Sequence, residues 1–414
     1  MRILLWHGYP LGGSGSNVYT RSVAREWAQA GHEVVLFCQE PRPEEFDLGG
    51  VEVVRPELPG GLLPVFVLDP YEGLKARVLT DFSPREREAY VEANASAVRE
   101  HLPADLVFCN HALMGAPVGA ATGARFAVKA HGSELEYAMR MSPELSRWAG
   151  ETLSCAEAVF VGSQHIRSVL EELVGTLERV HEVPPGVDTE GFRPRPREEA
   201  LDVLLEEAVA DPPNPGNRDE RLPDESNAER FEAFFADQAP VVVYVGKLLY
   251  NKGVHVLLEA MQGVEARALI VGFGDYRAEL EKLAPPRTLF TGALEHRHLV
   301  HLLPLADVSV VPSIFPEAFG MVAAEAAAAG VPPVVARHSG LAEVAAGLEA
   351  VYPEGHGHLA SFESGNALQL ADRLREMLGL PDSQRGELGA AARRAAEEHW
   401  SWRSVAGRLL TPFN

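Results

Sequence analysis

Cysteine is scarce. The 414 residues hold three, Cys38, Cys109 and Cys155, too far apart for a disulfide framework or metal-ligand spacing, so reduced, buried thiols are expected. Basic residues are in deficit too: 37 Lys and Arg stand against 59 Asp and Glu, a net charge of -22. That balance argues against a nucleic-acid partner and against broad adhesion to an anionic membrane, and any phosphate ligand must be held by locally placed cations and backbone amides. Long apolar runs are absent. No stretch approaches the roughly 18 to 20 residues of a spanning helix. The apolar start before His7, Gly8 and Pro10 is too short for a signal-peptide core. A cytoplasmic protein without stable membrane insertion is expected.

Hydrophobic residues make up 46% of the chain, a globular composition, and the length favours two domains. "RILLWHGYPLGGSGSNVYTRSVAREWAQAGHEVVLFC" reads as strand, glycine loop, amphipathic helix and second strand, with Val18, Val23, Trp27 and Ala30 on one helical face. Short apolar runs at 104–109, 126–130 and 158–162, each feeding a helix-like segment, continue the alternation. A second series starts at "PVVVYVGKLLYNKGVHVLL" and runs through "ARALIVGFGDYRAEL", "RTLFTGALEH", "ADVSVVPS" and "VPPVVA". Alternation of this kind favours parallel, doubly wound sheets. Between the two series, residues 197–240 are acidic and Pro-rich. Two short helices, about 198–210 and 227–236, are expected there around a mobile loop.

The segment "PSIFPEAFGMVAAEAAAAGVPPVVA" places Glu317 and Glu325 eight apart, about 80° off one helical face. Pro312, Pro316 and Gly320 point to a loop that turns into a helix near Phe319 or Gly320, with Glu317 on the loop and Glu325 in the second turn. Free N–H groups at such a helix start favour an anion such as a diphosphate. The structural alternative is an N-terminal acid that merely complements the helix dipole, plus a paired core glutamate. The "EHRHLVH" cluster, His296, His298 and His301, reads as an exposed helix more readily than as a metal site.

These motifs resemble, in order and across nearly the whole chain, the retaining GT-B glycosyltransferases of the family-4 type. That family includes relatives of glycogen synthase, sucrose synthase and phosphatidylinositol mannosyltransferase. The matching segments are Gly12-Gly13 before a helix and "GHEV", "HGSELE", "PPGVDTEGFRP", "VGKLLYNKG", "IVGFGD" and the E-x7-E pair. The resemblance implies an α/β GT-B fold of two Rossmann-like domains with parallel sheets facing each other across a cleft. The acceptor domain would span 1–190, a linker with the acidic insertion 191–239, the donor domain 240–395, and a helix returning to the first domain 396–414.

It also implies a reaction: a hexosyl or N-acetylhexosaminyl unit passes from a nucleotide-diphosphate sugar (UDP-, GDP- or ADP-linked) to a hydroxyl acceptor with retention. Lys247 and Lys252 would neutralise the diphosphate, though the family usually has Arg where Lys247 stands and Lys loses the bidentate fork. Glu317 would face the donor sugar and Glu325 the ribose. Backbone amides of Phe319, Gly320 and Met321 would help hold sugar and phosphate, and Gly272 and Gly274 would permit close approach. Leu294 would line the base pocket. Gly12 and Gly13 would approach the reacting sugar, and His131 would touch it. No D-x-D occurs, so no metal or other cofactor is expected. Acceptor, small molecule, glycan or lipid, and a homodimer stay open. Rival readings are a nucleotide-sugar epimerase or hydrolase on the same fold, and a non-catalytic binding relative.

Overall fold

The computed structural model describes every residue except Ser14, Asp69, Pro70 and Glu72. The chain divides into two compact units, one of Met1–Gly186 with Trp402–Asn414, the other of Val187–Ser401.

In the first unit, β1 (Arg2–Trp6), β2 (Glu33–Phe37) and β3 (Glu52–Val54) are followed by a separate parallel pair, β4 (Leu62–Val65) and β5 (Lys75–Val78). Then come β6 (Leu106–Asn110), β7 (Phe126–Lys129), β8 (Ala158–Val161) and β9 (Val180–Glu182). The main sheet has the order β3-β2-β1-β6-β7-β8-β9, all parallel. Because successive strand residues point to opposite faces, Ile3 and Leu5 enter one core and Leu4 and Trp6 the other, so β1 is apolar throughout. The helix Trp402–Leu410 closes the Ile3 face with Trp402, Val405 and Leu409, and the Trp27 indole N–H donates to Ala406 O at 2.9 Å.

The second unit carries β10 (Val241–Val245), β11 (Arg267–Val271), β12 (Thr288–Phe290), β13 (Val308–Val311), β14 (Pro333–Ala336) and β15 (Ser361–Phe362). The order β12-β11-β10-β13-β14-β15, again parallel, is the doubly wound order in which the winding reverses beside the first strand. Ligands of such sheets bind beyond the carboxyl ends of the strands at that reversal. In the second unit it falls between β10 and β13, and in the first between β1 and β6.

Several expectations are corrected here. Residues 191–239 do not form a linker apart from the donor domain; they belong to the second unit, as do residues 396–401. The acidic loop between the helices Arg197–Val209 and Asn227–Ala236 is a docked segment. Asp224 is buried and takes both Arg277 Nη1 (2.7 Å) and Nη2 (2.6 Å), while Leu222 O and Asp224 N pair with Ala293 N and Thr291 O. Cys155 is exposed, unlike Cys38 and Cys109. His298 is fully buried, with Nε2 2.9 Å from Asp211 Oδ1, so the three-histidine helix is not a free surface. On the helix Gly15–Gln29, Val23 and Trp27 face inward, but so do Asn17 and Thr20, whereas Val18 is half-buried and Ala30 exposed.

Candidate active site

The loop leaving β10 carries Lys247 and Lys252, and the loop leaving β13 carries Glu317, so the reversal point of the second sheet collects both lysines and the first acid. Lys252 Nζ donates to Glu317 Oε1 at 2.6 Å. The pair is only partly exposed, 32% for the lysine side chain and 22% for the carboxylate, so water screens it incompletely. Each partner is fixed by backbone chemistry. Gly253, following Lys252, has φ +69°, and a Cβ there would lie 1.9 Å from Pro312 O, which brings the two loops into contact. Ile314 N donates to Asn251 O at 3.0 Å across the same seam. On the other side Glu317 N donates to Ser339 Oγ (2.8 Å), and Gly340 N donates to Glu317 O (2.9 Å).

Lys247 is exposed and has no ion-pair partner among the described residues. Its carbonyl accepts from the Tyr244 hydroxyl at 2.9 Å. Burial, and then the charge of Glu317, push that hydroxyl's pKa up, which places the Lys247 turn in the field of the acid. Gly272 and Gly274 serve this turn directly. With φ +140° and +149°, their missing Cβ atoms would stand 1.8 Å from Gly246 O and 2.5 Å from Leu248 O. The close approach these glycines permit in the structure is therefore to the lysine loop.

The helix after Glu317 is Met321–Ala328, with Gly320 at its N-cap at φ +127°. A Cβ on Gly320 would meet Leu341 Cδ2 at 2.6 Å. The Phe319 ring is buried edge-on to Trp400, Met321 is half-buried, and Leu294 packs at the border of the core. Glu325 sits one turn further along, half-buried. Burial pushes its carboxyl up to about 7; His296 opposes the shift and Asp188 adds to it. Sequence reasoning missed these two neighbours. His296 Nε2 lies 3.6 Å from Asp188 Oδ2 and, with the N–H groups of Gly191 and Glu190, holds Asp188 at about 2. The available signals were the Asp of "PPGVDTEGF" and the first His of "EHRHLVH".

In the first unit the reversal point collects a different set. His7 follows β1, His111 follows β6 at φ +73°, and His131 follows β7. The His111 ring is 5.6 Å from His7 and 4.8 Å from His131. The buried carboxylate of Glu134 accepts from His131 N (2.5 Å) and Ala112 N (3.3 Å) and faces His111 Nδ1 at 3.4 Å. Burial, followed by His111, Lys129 and His7, holds the His131 ring well below the ordinary histidine value. Burial and His111 bring His7 down to about 3. Gly13, at φ +86°, has open space where a Cβ would point, so its need is conformational, and Gly12 O accepts from Asn17 Nδ2. Among the described residues no cluster of three or more His, Cys, Asp or Glu could hold a metal ion, and no helix is long and apolar enough to cross a membrane.

Comparison with known proteins agrees with this division. Residues 14–186 match the model for the glycosyl transferase 4-like domain, and residues 225–395 match the model for glycosyl transferases group 1. The chain is 29% identical to D-inositol 3-phosphate glycosyltransferase of Xylanimonas cellulosilytica, over 96% of this chain and 91% of that protein. It is 26% identical to the GDP-mannose-dependent monoacylated alpha-(1-6)-phosphatidylinositol monomannoside mannosyltransferase of Corynebacterium glutamicum, over 72% of each.

Among solved structures, sucrose-phosphate synthase of Thermosynechococcus elongatus superposes with a TM-score of 0.65 at 20% identity, over 99% of this chain and 97% of that one. Anabaena HepE in complex with UDP and glucose gives 0.66 at 17%, over 98% and 97%. These likenesses show the GT-B fold. The chain belongs to the family-4 type of GT-B glycosyltransferases, and it is a glycosyltransferase.

Proposed function

We propose that this glycosyltransferase moves a hexosyl or N-acetylhexosaminyl unit from a nucleotide-diphosphate sugar to a hydroxyl acceptor, with retained configuration and without a metal. The observation that carries the reading is the Lys252–Glu317 pair, seated where the second sheet reverses its winding. A cation and a carboxylate in contact suit the two ends of the sugar-phosphate linkage. Lys252, with Lys247, takes the charge that gathers on the departing diphosphate, and Glu317 accepts from hydroxyls of the sugar. Backbone amides of Phe319, Gly320 and Met321 add donors, and Glu325 accepts from the ribose. By the family resemblance, Gly12, Gly13 and His131 of the first unit contact the reacting sugar.

In the front-face course adopted here, the anomeric carbon's bond to the phosphate oxygen breaks as the acceptor oxygen bonds to that carbon. The acceptor's proton passes to the leaving phosphate oxygen. No side-chain nucleophile is needed, because Glu317 addresses hydroxyls instead of the anomeric carbon.

The relatives' names point to more than one base, GDP in the mannosyltransferases and UDP in HepE, so donor identity is a matter for measurement. A thermal-shift screen of UDP, GDP and ADP sugars raises the melting temperature with the true donor, since a ligand of the folded state alone stabilises it. Incubating that donor with an acceptor panel that includes inositol phosphates then yields product, and proton NMR of its anomeric centre reports retention. Donor consumption without acceptor would support a hydrolase or epimerase in its place.

A further inference from the structure

The hydrogen bonds behind His131 have a direction that can be read from one end to the other. Thr20 has a single hydroxyl hydrogen, and it is committed to Ser16 O at 2.8 Å, four residues back on the same helix. The Thr20 oxygen must therefore accept in its other contact, 3.0 Å from Asn110 Nδ2. That contact fixes the Asn110 amide and turns Oδ1 towards His131 Nε2, 3.0 Å away. An amide oxygen carries no hydrogen, so Nε2 must supply it. A neutral imidazole has one N–H only, so its Nδ1 is the acceptor, and it faces the backbone N–H of Glu134 at the start of the next helix.

We propose that Asn110 and Thr20 are positioning residues that hold His131 as the neutral Nε2–H tautomer, with Nδ1 turned to the Glu134 N–H, so that the ring has one orientation and no charge during transfer. That the ring serves the transfer rests on the function proposed above; the tautomer does not.

The surroundings fit a neutral acceptor. The charged and titratable groups facing the ring are His7, His111, Lys129 and Glu134, and the edge of the ring meets Tyr19 at 5.3 Å. Lys129 is buried, donates to Val183 O at 2.7 Å, and burial brings it down to about 7. The one carboxylate, Glu134, is occupied by backbone N–H groups and by His111. His131 is thus braced by an uncharged amide, which orients the ring without stabilising an imidazolium. His7 repeats the device: Asn17 Nδ2 donates to Gly12 O, so Asn17 Oδ1 accepts from His7 Nε2 at 2.9 Å. A neutral histidine held in this state is a poor general acid for the transfer.

The test is a long-range proton–nitrogen correlation spectrum of the full chain labelled with nitrogen-15 histidine, with His131 assigned by comparison with His131→Gln. At neutral pH the expected result is a protonated Nε2 and an unprotonated Nδ1; an Nδ1–H tautomer or an imidazolium overturns the inference. Thr20→Val removes the acceptor that orients Asn110, so it should mix the tautomers and lower kcat about tenfold, the scale of one hydrogen bond, while nucleoside diphosphate Kd stays within about twofold. Thr20→Ser should restore both. A Thr20→Val protein with wild-type tautomer and kcat also overturns it, and if that variant does not fold, the wild-type spectrum alone decides. The two readings fail separately. The predicted tautomer without any transfer activity sinks the function, and transfer with an Nδ1–H ring sinks only this assignment.

Discussion

Glu325 changes its charge near neutral pH. Its carboxyl titrates near 7 in the folded chain because burial opposes the charge. Below that value it is a neutral acid; above it, a carboxylate able to accept charge-assisted bonds from two ribose hydroxyls. Affinity for the nucleoside diphosphate should therefore rise with pH through about 7 by more in the wild type than in Glu325→Gln. Parallel calorimetric titrations of both proteins at pH 6 and 8 measure this, and identical pH dependence would remove Glu325 from the ribose site. Lys252→Ala and Glu317→Ala should each lower kcat by roughly a hundredfold, the scale seen when one oriented group facing transition-state charge is removed. Lys247→Ala should act in the same direction. Near-normal turnover in all three would overturn the site assignment.

At the scale of elements, the two loops of the second unit's site depend on backbone contact that only glycine allows. Gly253→Ala would place a Cβ 1.9 Å from Pro312 O at φ +69°. About 2–4 kcal/mol of destabilisation in urea unfolding is expected, with loss of turnover, because strain and clash fall on the seam that aligns Lys252 with Glu317. An unchanged midpoint would show that the seam is softer than its geometry implies.

Much of this scale was legible in the sequence. Buried parallel strands are continuous apolar runs, so β1, β2, β6, β7 and β8 stood out. Pro316 and Gly320 announced the turn before the Glu325 helix. Two-residue β15 and the β4–β5 pair had too little pattern. The inward faces of Asn17 and Thr20 were not legible either, since a polar residue turned towards a buried hydrogen-bond chain has the periodicity of a solvated face. The neighbours of Glu325 were illegible for a related reason. Asp188 and His296 meet it only through tertiary packing, which no local spacing encodes. Likewise, the acidic loop had the composition of a mobile segment, and Arg277 and the backbone of Thr291 and Ala293 are what hold it.

At the scale of the whole molecule, acid should act on His7 and Glu325 in opposite senses. His7 binds its proton near pH 6.5 when unfolded but only near 3 when folded. Between those values the unfolded state holds the extra proton, so stability falls as pH drops. The slope is about 1.4 kcal/mol per pH unit from His7, and His131 adds in the same sense. Glu325 runs the other way: unfolded it ionises near 4.5, folded near 7, so over that interval its contribution declines as pH rises. Urea unfolding at pH 6.5 and 5.5 should show the first unit losing stability; a first unit equally stable at both would mean His7 is protonated when folded.

The central claim is that a nucleoside diphosphate is held where the second sheet reverses, by Lys252 and the loop bearing Glu317. Calorimetric titration of UDP, GDP and ADP into the wild-type chain and into Lys252→Ala tests it most directly. At least one of the three should bind the wild type, and bind the variant roughly tenfold to a hundredfold more weakly, as expected for a lost charge-assisted phosphate contact. Binding of none, or equal affinity in both proteins, would contradict the account.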